Sequence, residues 1–162
     1  MNDLRFELES NDQDLNHKTS DDYYTPLFIF EALGVKFDLD VSGPPGGVPW
    51  IPAQRTFSIL DDGLFQDWEG QKVWMNPPFS KPTPWIEKFI KNNNGIALLP
   101  FSKARWFITI WEAAGGLLPL DNTLKFHRVD GAEEGIFMPV FLAAMGDVNV
   151  EALRNSGLGH VR

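Results

Sequence analysis

Lys72-Val73-Trp74-Met75 runs directly into Asn76-Pro77-Pro78-Phe79, and this junction decides the architecture. The first four residues read as a short buried strand. The two prolines donate no backbone hydrogen bond and fix their own φ angles, so the chain leaves the sheet in a rigid loop whose carbonyls face a cavity. Asn76 adds a side-chain carbonyl, giving two acceptors beside the flat ring of Phe79. A Pro-Pro turn that merely ends a strand is the plainer reading, and the neighbouring segments weigh against it.

Those segments repeat the pattern of strand followed by polar loop. Upstream, Val35-Lys36-Phe37-Asp38-Leu39-Asp40-Val41 alternates apolar and polar residues and breaks into Ser42-Gly43-Pro44-Pro45-Gly46-Gly47. Thr56 to Leu60 reads as a strand entering Asp61-Asp62-Gly63-Leu64, and Ile96-Ala97-Leu98-Leu99 as one entering Pro100-Phe101-Ser102. Helices fall between them. Leu27 to Leu33 has Thr25 as its expected cap, Pro26 at its first position and a stop at Gly34. A second helix starts at Thr83-Pro84, carries Trp85, Phe89 and Ile90 on one face and stops at Asn92-Asn93-Asn94-Gly95. Ala104 to Ala114, ended by Gly115-Gly116, reads as a third. Late strands are expected at Leu124-Lys125-Phe126-His127 and from Ile136 to Ala144. The alternation implies an α/β domain with a mostly parallel sheet and flanking helices, and such sheets bind ligands at the carboxyl ends of their strands.

A chain of 162 residues fits one compact domain, and 13 Phe and 6 Trp supply enough large side chains for a real core. Residues 1–22 are rich in Asp, Asn and Glu and are expected to form a flexible acidic arm, leaving 23–162 as the folded domain. Cysteine is absent, which excludes disulfides and thiolate metal sites. No apolar run approaches the ~20 residues that span a bilayer, so the chain is expected to be soluble and cytoplasmic, with no membrane partner. The net charge of -8 argues against a nucleic-acid binder until its distribution is considered. Residues 1–70 carry 14 acidic and 4 basic side chains, whereas 81–128 carry 3 acidic and 7 basic. DNA, if bound, meets the middle of the chain.

The acceptor loop suits methyl transfer to an sp² amine. The lone pair of such an amine is delocalised until two acceptors take its hydrogens and favour a pyramidal nitrogen; preorganised acceptors then stabilise the developing positive charge without a strong base. Phe79 would stack on a base extracted from its helix.

Asn76-Pro77-Pro78-Phe79 resembles the catalytic motif of amino-methyltransferases. From Tyr23 to Met145 the chain is similar to the phage-type DNA adenine-N6 methyltransferase (Dam) family. The resemblance implies a Rossmann-like S-adenosylmethionine-dependent methyltransferase fold. It also implies catalysis by Asn76, Pro77, Pro78 and Phe79. Tyr24, Thr25 and Pro26 match the family's Tyr-Thr-Pro opening, which contacts the methionine part of the cofactor. Asp38, Asp40 and Ser42 match its cofactor-binding strand end, where a carboxylate accepts from ammonium or ribose hydroxyls. Asp61 and Asp62 match the acidic position that receives the cofactor's adenine amine, and Asn76 borders the same site. Leu98 to Ser102 and Arg105-Trp106-Phe107 match the segment after catalysis.

The DNA-facing set is Lys81, Ser102, Lys103, Arg105, Trp106, Lys125 and Arg128, gathered around the proposed loops. Lys88 and Lys91 read equally well as a solvated helix face. Asp38 and Asp40 could form a metal pair, but no His lies close in sequence and carboxylates at a strand edge are commonly solvated, so no metal is expected. His17, His127 and His160 are scattered surface residues.

The expected function is transfer of a methyl group from S-adenosylmethionine to the N6 amine of a flipped adenine in DNA, by a phage or prophage enzyme in the bacterial cytoplasm. The alternatives are an inactive methyltransferase-like module that binds cofactor or DNA, and an N-methyltransferase for RNA or a protein amide. A monomer and a homodimer both fit the sequence.

Overall fold

A computed structural model of the chain describes residues 23–121, 125–128, 133–135 and 139–162. The proposed acidic arm, 1–22, lies outside them. The elements in chain order are β1 (Tyr23–Tyr24), α1 (Leu27–Leu33), β2 (Phe37–Asp40), β3 (Ala53–Thr56), β4 (Val73–Met75), α2 (Thr83–Asn92) and β5 (Gly95–Pro100). They continue with α3 (Arg105–Ala113), β6 (Gly116–Pro119), β7 (Lys125–Arg128), β8 (Glu133–Gly135), β9 (Val140–Met145) and α4 (Asp147–Asn155).

Six strands form the main sheet in the order β3-β2-β4-β5-β9-β6. Their side chains alternate between two apolar layers, as the pleat requires. Val73, Met75, Ala97 and Leu99 pack with Ile86, Phe89, Trp106 and Ile110, so α2 and α3 cover one face. Trp74, Ile96 and Leu98 pack with Ile29, Phe30, Val150 and Leu153, so α1 and α4 cover the other. Phe30 meets Trp74 edge-on at 4.7 Å between ring centroids. The chain is a mixed α/β domain with helices on both faces of its sheet.

The expectation of a mostly parallel sheet needs correcting. β3, β2, β4 and β5 are parallel neighbours, but β9 runs antiparallel to both β5 and β6. The cause is the route between β6 and β9. Pro100 and Pro119 register with Val140 and Phe141, so the chain leaves β6 and re-enters β9 at one edge, and a strand that re-enters where its predecessor left must run back. β9 is buried throughout, so its sequence shows no alternation that could mark its setting. The excursion carries β7 and β8, which join β1 in a separate antiparallel sheet ordered β1-β7-β8. That small sheet therefore springs from the carboxyl edge of the parallel strands.

Several boundaries also differ from the sequence reading. The strand expected over 56–60 is Ala53–Thr56, followed by a turn in which Asp61 N–H donates to Ser58 C=O at 3.0 Å. Thr25 does not cap α1: Pro26 holds the cap position without a side-chain hydrogen bond, and Thr25 is fully buried. β6 and α4 were not expected. The stop of α2 is as expected, with Asn93 in the left-handed region at φ 54°. Among the described residues no helix is long and apolar enough to cross a membrane.

Candidate active site

The exits of β2, β3 and β4 converge on one pocket of ≈ 320 Å³. Val41, Ser42 and Gly43 line it from β2, Ser58, Ile59, Asp62 and Gly63 from the segment after β3, and Pro78 from the loop after β4. Trp85 of α2 completes the wall. Crevices of roughly 300–1,000 Å³ at the carboxyl ends of parallel strands are the usual place for small ligands in α/β domains.

The glycines of this pocket allow close approach. A Cβ on Gly43 would stand 2.4 Å from Thr56 Cγ2 and 2.9 Å from Asp40 Oδ2. One on Gly63 would stand 2.1 Å from the Val41 carbonyl oxygen, so only glycine lets the 61–66 loop lie against the β2 exit. The sequence reading attached no role to Gly63, although its place after two aspartates was the available signal.

The four carboxylates of the expected cofactor set separate clearly. Asp40, 2% exposed, accepts from Ser42 N–H at 3.3 Å, and burial pushes its pKa from 3.8 up to about 7 against the opposing effect of that bond. Its neighbour Asp38 faces elsewhere and accepts from Lys72 N–H at 2.7 Å, holding β2 and β4 together. Asp61 accepts from Ser58 N–H at 2.8 Å and from the Ser58 hydroxyl at 3.2 Å, which closes the turn. Of that pair only Asp62 lines the pocket, exposed and at φ 52°.

The Asn-Pro-Pro-Phe loop divides between core and cavity. Pro77 is buried, Pro78 lines the pocket, and Asn76 is half-buried between β4 and the prolines. Phe79 is half-buried and packs against the apolar layer under α1. Tyr24, Thr25 and Pro26 stand on the α1 side rather than in the pocket wall. Tyr24 meets Trp50 edge-on at 6.4 Å, and Thr25 C=O accepts from the Trp50 indole at 2.8 Å. The Thr25 hydroxyl is buried without a hydrogen-bond partner among the described residues.

The DNA-facing set divides too. Lys81, Lys103, Arg105 and Lys125 are exposed. Ser102 is half-buried, and its hydroxyl accepts from Ala104 N–H at 3.0 Å ahead of α3. Arg128 lies on β7, and its side chain is outside the described residues. Trp106 is a correction: it is 8% exposed and belongs to the core under α3, because the helix turns it inward and offers Arg105 to solvent.

A family model for DNA N-6-adenine-methyltransferase (Dam) matches residues 12–115. The chain belongs to the Dam family. A DNA N-6-adenine-methyltransferase of Haemophilus phage HP1 (strain HP1c1) is 30% identical over 132 residues, which cover 74% of this chain and 75% of that protein. No solved structure gives a significant match. The Dam match takes in the exits of β2, β3, β4 and β5 and ends ahead of β6, so the pocket and Asn76-Pro77-Pro78-Phe79 fall inside it, while Lys125 and Arg128 fall outside. Dam membership makes the chain an adenine-N6 DNA methyltransferase.

Proposed function

We propose that this Dam-family enzyme takes its methyl group from S-adenosylmethionine held at the exits of β2 and β3, and delivers it to adenine N6 at Asn76-Pro77-Pro78-Phe79. The observation that carries the reading is the sharing of one pocket by Pro78 and the residues Val41, Ser42, Gly43 and Asp62. A transfer enzyme needs its donor and acceptor sites side by side.

The residues fit the cofactor. Gly43 and Gly63 leave room for close approach, and Asp62 offers a carboxylate on the open wall. Asp40 beneath Gly43 is a buried carboxyl held towards its protonated form, which a cationic group of the cofactor would convert to the ionised one. When bound, S-adenosylmethionine supplies an electrophilic methyl group on a sulfonium. The parallel half of the sheet, with its ligand crevice at the strand exits, supports kinship with Rossmann-like methyltransferase folds.

The chain's own part is to make the amine reactive. Asn76 Oδ1 and a main-chain carbonyl of the loop accept the two hydrogens of adenine N6, favour a pyramidal nitrogen and stabilise its developing positive charge. The prolines keep those acceptors in place before substrate arrives. Phe79 supports the extracted base from one side. A proton then leaves nitrogen for solvent. The phage relative supports a phage or prophage gene whose product works in the bacterial cytoplasm.

Transfer of labelled methyl groups from S-adenosylmethionine to unmethylated DNA tests this reading, with RNA and protein as parallel acceptors. Labelling of DNA alone is the expected result; binding of cofactor with no labelled DNA rejects it. DNA binding should also depend on salt. Lys81, Lys103, Arg105 and Lys125 all facing phosphate predict a slope of about -3 to -4 in log affinity against log salt. Binding unaffected by salt would remove these side chains from the interface.

A further inference from the structure

We propose that Lys88 is a positioning residue for the cofactor pocket: its ammonium fixes the 61–66 loop, and with it Asp62 and Gly63, against the exit of β2. The inference rests on the reading that this pocket holds S-adenosylmethionine.

The segment between β3 and β4 forms a partition. On one side Asp62 and Gly63 line the pocket of ≈ 320 Å³; on the other Asp67, Trp68 and Glu69 line a second cavity of ≈ 640 Å³. Trp68 anchors one end of this wall in the core, whereas the turn ahead of it, with Phe65 exposed, depends on discrete tethers. Lys88 provides one. Its Nζ donates to the Leu64 carbonyl at 2.7 Å and also to the Gln66 carbonyl, and it stands 4.9 Å from the centre of the Trp68 ring.

The tether reaches the pocket through short links. Phe65 N–H donates to Asp62 C=O at 2.9 Å and Gln66 N–H to Gly63 C=O at 3.4 Å, so the carbonyls that Lys88 holds belong to the same closed turn as Asp62. The Trp68 indole donates to Gly63 C=O at 2.9 Å. Trp68 packs 6.2 Å from Trp85, which lines the pocket itself. Trp85 and Lys88 are three residues apart on α2 and share a face, so one helix shapes the wall and fixes the loop beside it. Lys91, one turn later, is exposed. Burial draws the Lys88 pKa below its ordinary value, with Asp67 and Asp62 opposing that fall and Lys91 adding to it, as expected for an ammonium partly withdrawn from water.

Calorimetric titration of the full chain with S-adenosylmethionine, paired with methylation rates at saturating cofactor and DNA, tests the proposal. Lys88→Met should weaken cofactor affinity roughly tenfold to a hundredfold, the range for losing hydrogen bonds to a charged group, and leave kcat within about twofold. Lys88→Arg keeps N–H donors and should restore affinity to within about threefold of wild type. Lys91→Met should bind cofactor as wild type does. Wild-type affinity in Lys88→Met, or a fall in kcat with affinity unchanged, overturns the inference alone. A wild-type chain that binds no S-adenosylmethionine overturns the pocket reading and this inference with it. If Lys88→Met shows no cooperative thermal transition, Trp68→Phe decides: it removes the indole link to Gly63, and unchanged cofactor affinity in that variant overturns the proposal.

Discussion

Asn76→Ala should lower the rate of methyl transfer to adenine by roughly 10²–10³-fold at saturating cofactor and DNA, the loss typical of removing one preorganised polar group that faces developing charge. Asn76 is half-buried at the β4 exit, and its neighbours Pro77 and Pro78 hold the main chain whichever side chain stands at 76. The substitution therefore removes an acceptor and spares the loop. Cofactor affinity should change by less than about threefold, because the cofactor residues proposed here stand chiefly on β2 and after β3. Single-turnover methylation and calorimetric cofactor binding, run on the same preparation, separate the two quantities. An Asn76→Ala enzyme with a rate within tenfold of wild type would take Asn76 out of the transfer step.

Asp40→Asn has the second large effect, and stability and binding move in opposite directions. The folded chain holds the Asp40 proton more tightly than the unfolded chain does, since burial raises its pKa from 3.8 to about 7. The stability contributed by this group is therefore fully present below about pH 4 and is lost as pH rises through about 7, on the order of 4 kcal/mol in total. Asparagine has no such proton to lose. Without cofactor, the stability of Asp40→Asn relative to wild type should rise between pH 4 and pH 7 and level off above. Urea midpoints at pH 5 and pH 8 measure this.

Binding should behave oppositely, because a cationic group of the cofactor proposed to lie over Asp40 would pair with the ionised carboxylate. Wild-type affinity should fall as pH drops below about 7, and Asp40→Asn should bind roughly a hundredfold or more weakly at pH 8, as when one partner of a buried pair is removed. A variant that binds as tightly as wild type at pH 8 would make Asp40 a structural carboxyl only.

Much of this site was legible because its signals are local. Proline restricts its own backbone wherever it stands, so Asn76-Pro77-Pro78-Phe79 announced a rigid loop at a strand end, and the strand before it follows as Val73–Met75. The Asn92-Asn93-Asn94-Gly95 stop was legible for the same reason. What the sequence concealed depends on contacts between distant segments. Ile59 and Leu60 look like strand residues but are more than 80% exposed, because the Asp61 carboxylate turns the chain at Ser58 first. Trp106 looked like a contact residue beside Arg105 until the face of α3 that packs on the sheet was fixed. The direction of β9 and the tie from Lys88 to Leu64 both require knowing where another segment lies, which periodicity does not encode.

The central claim is that the chain methylates N6 of adenine in DNA at the Asn76 loop. Its most direct test is to treat unmethylated DNA with the enzyme and S-adenosylmethionine, digest it to nucleosides and identify the methylated product by mass spectrometry. The account predicts N6-methyldeoxyadenosine, greatly reduced with Asn76→Ala. Methyl groups on cytosine, or DNA that stays unmethylated while RNA or protein acquires the label, would contradict it.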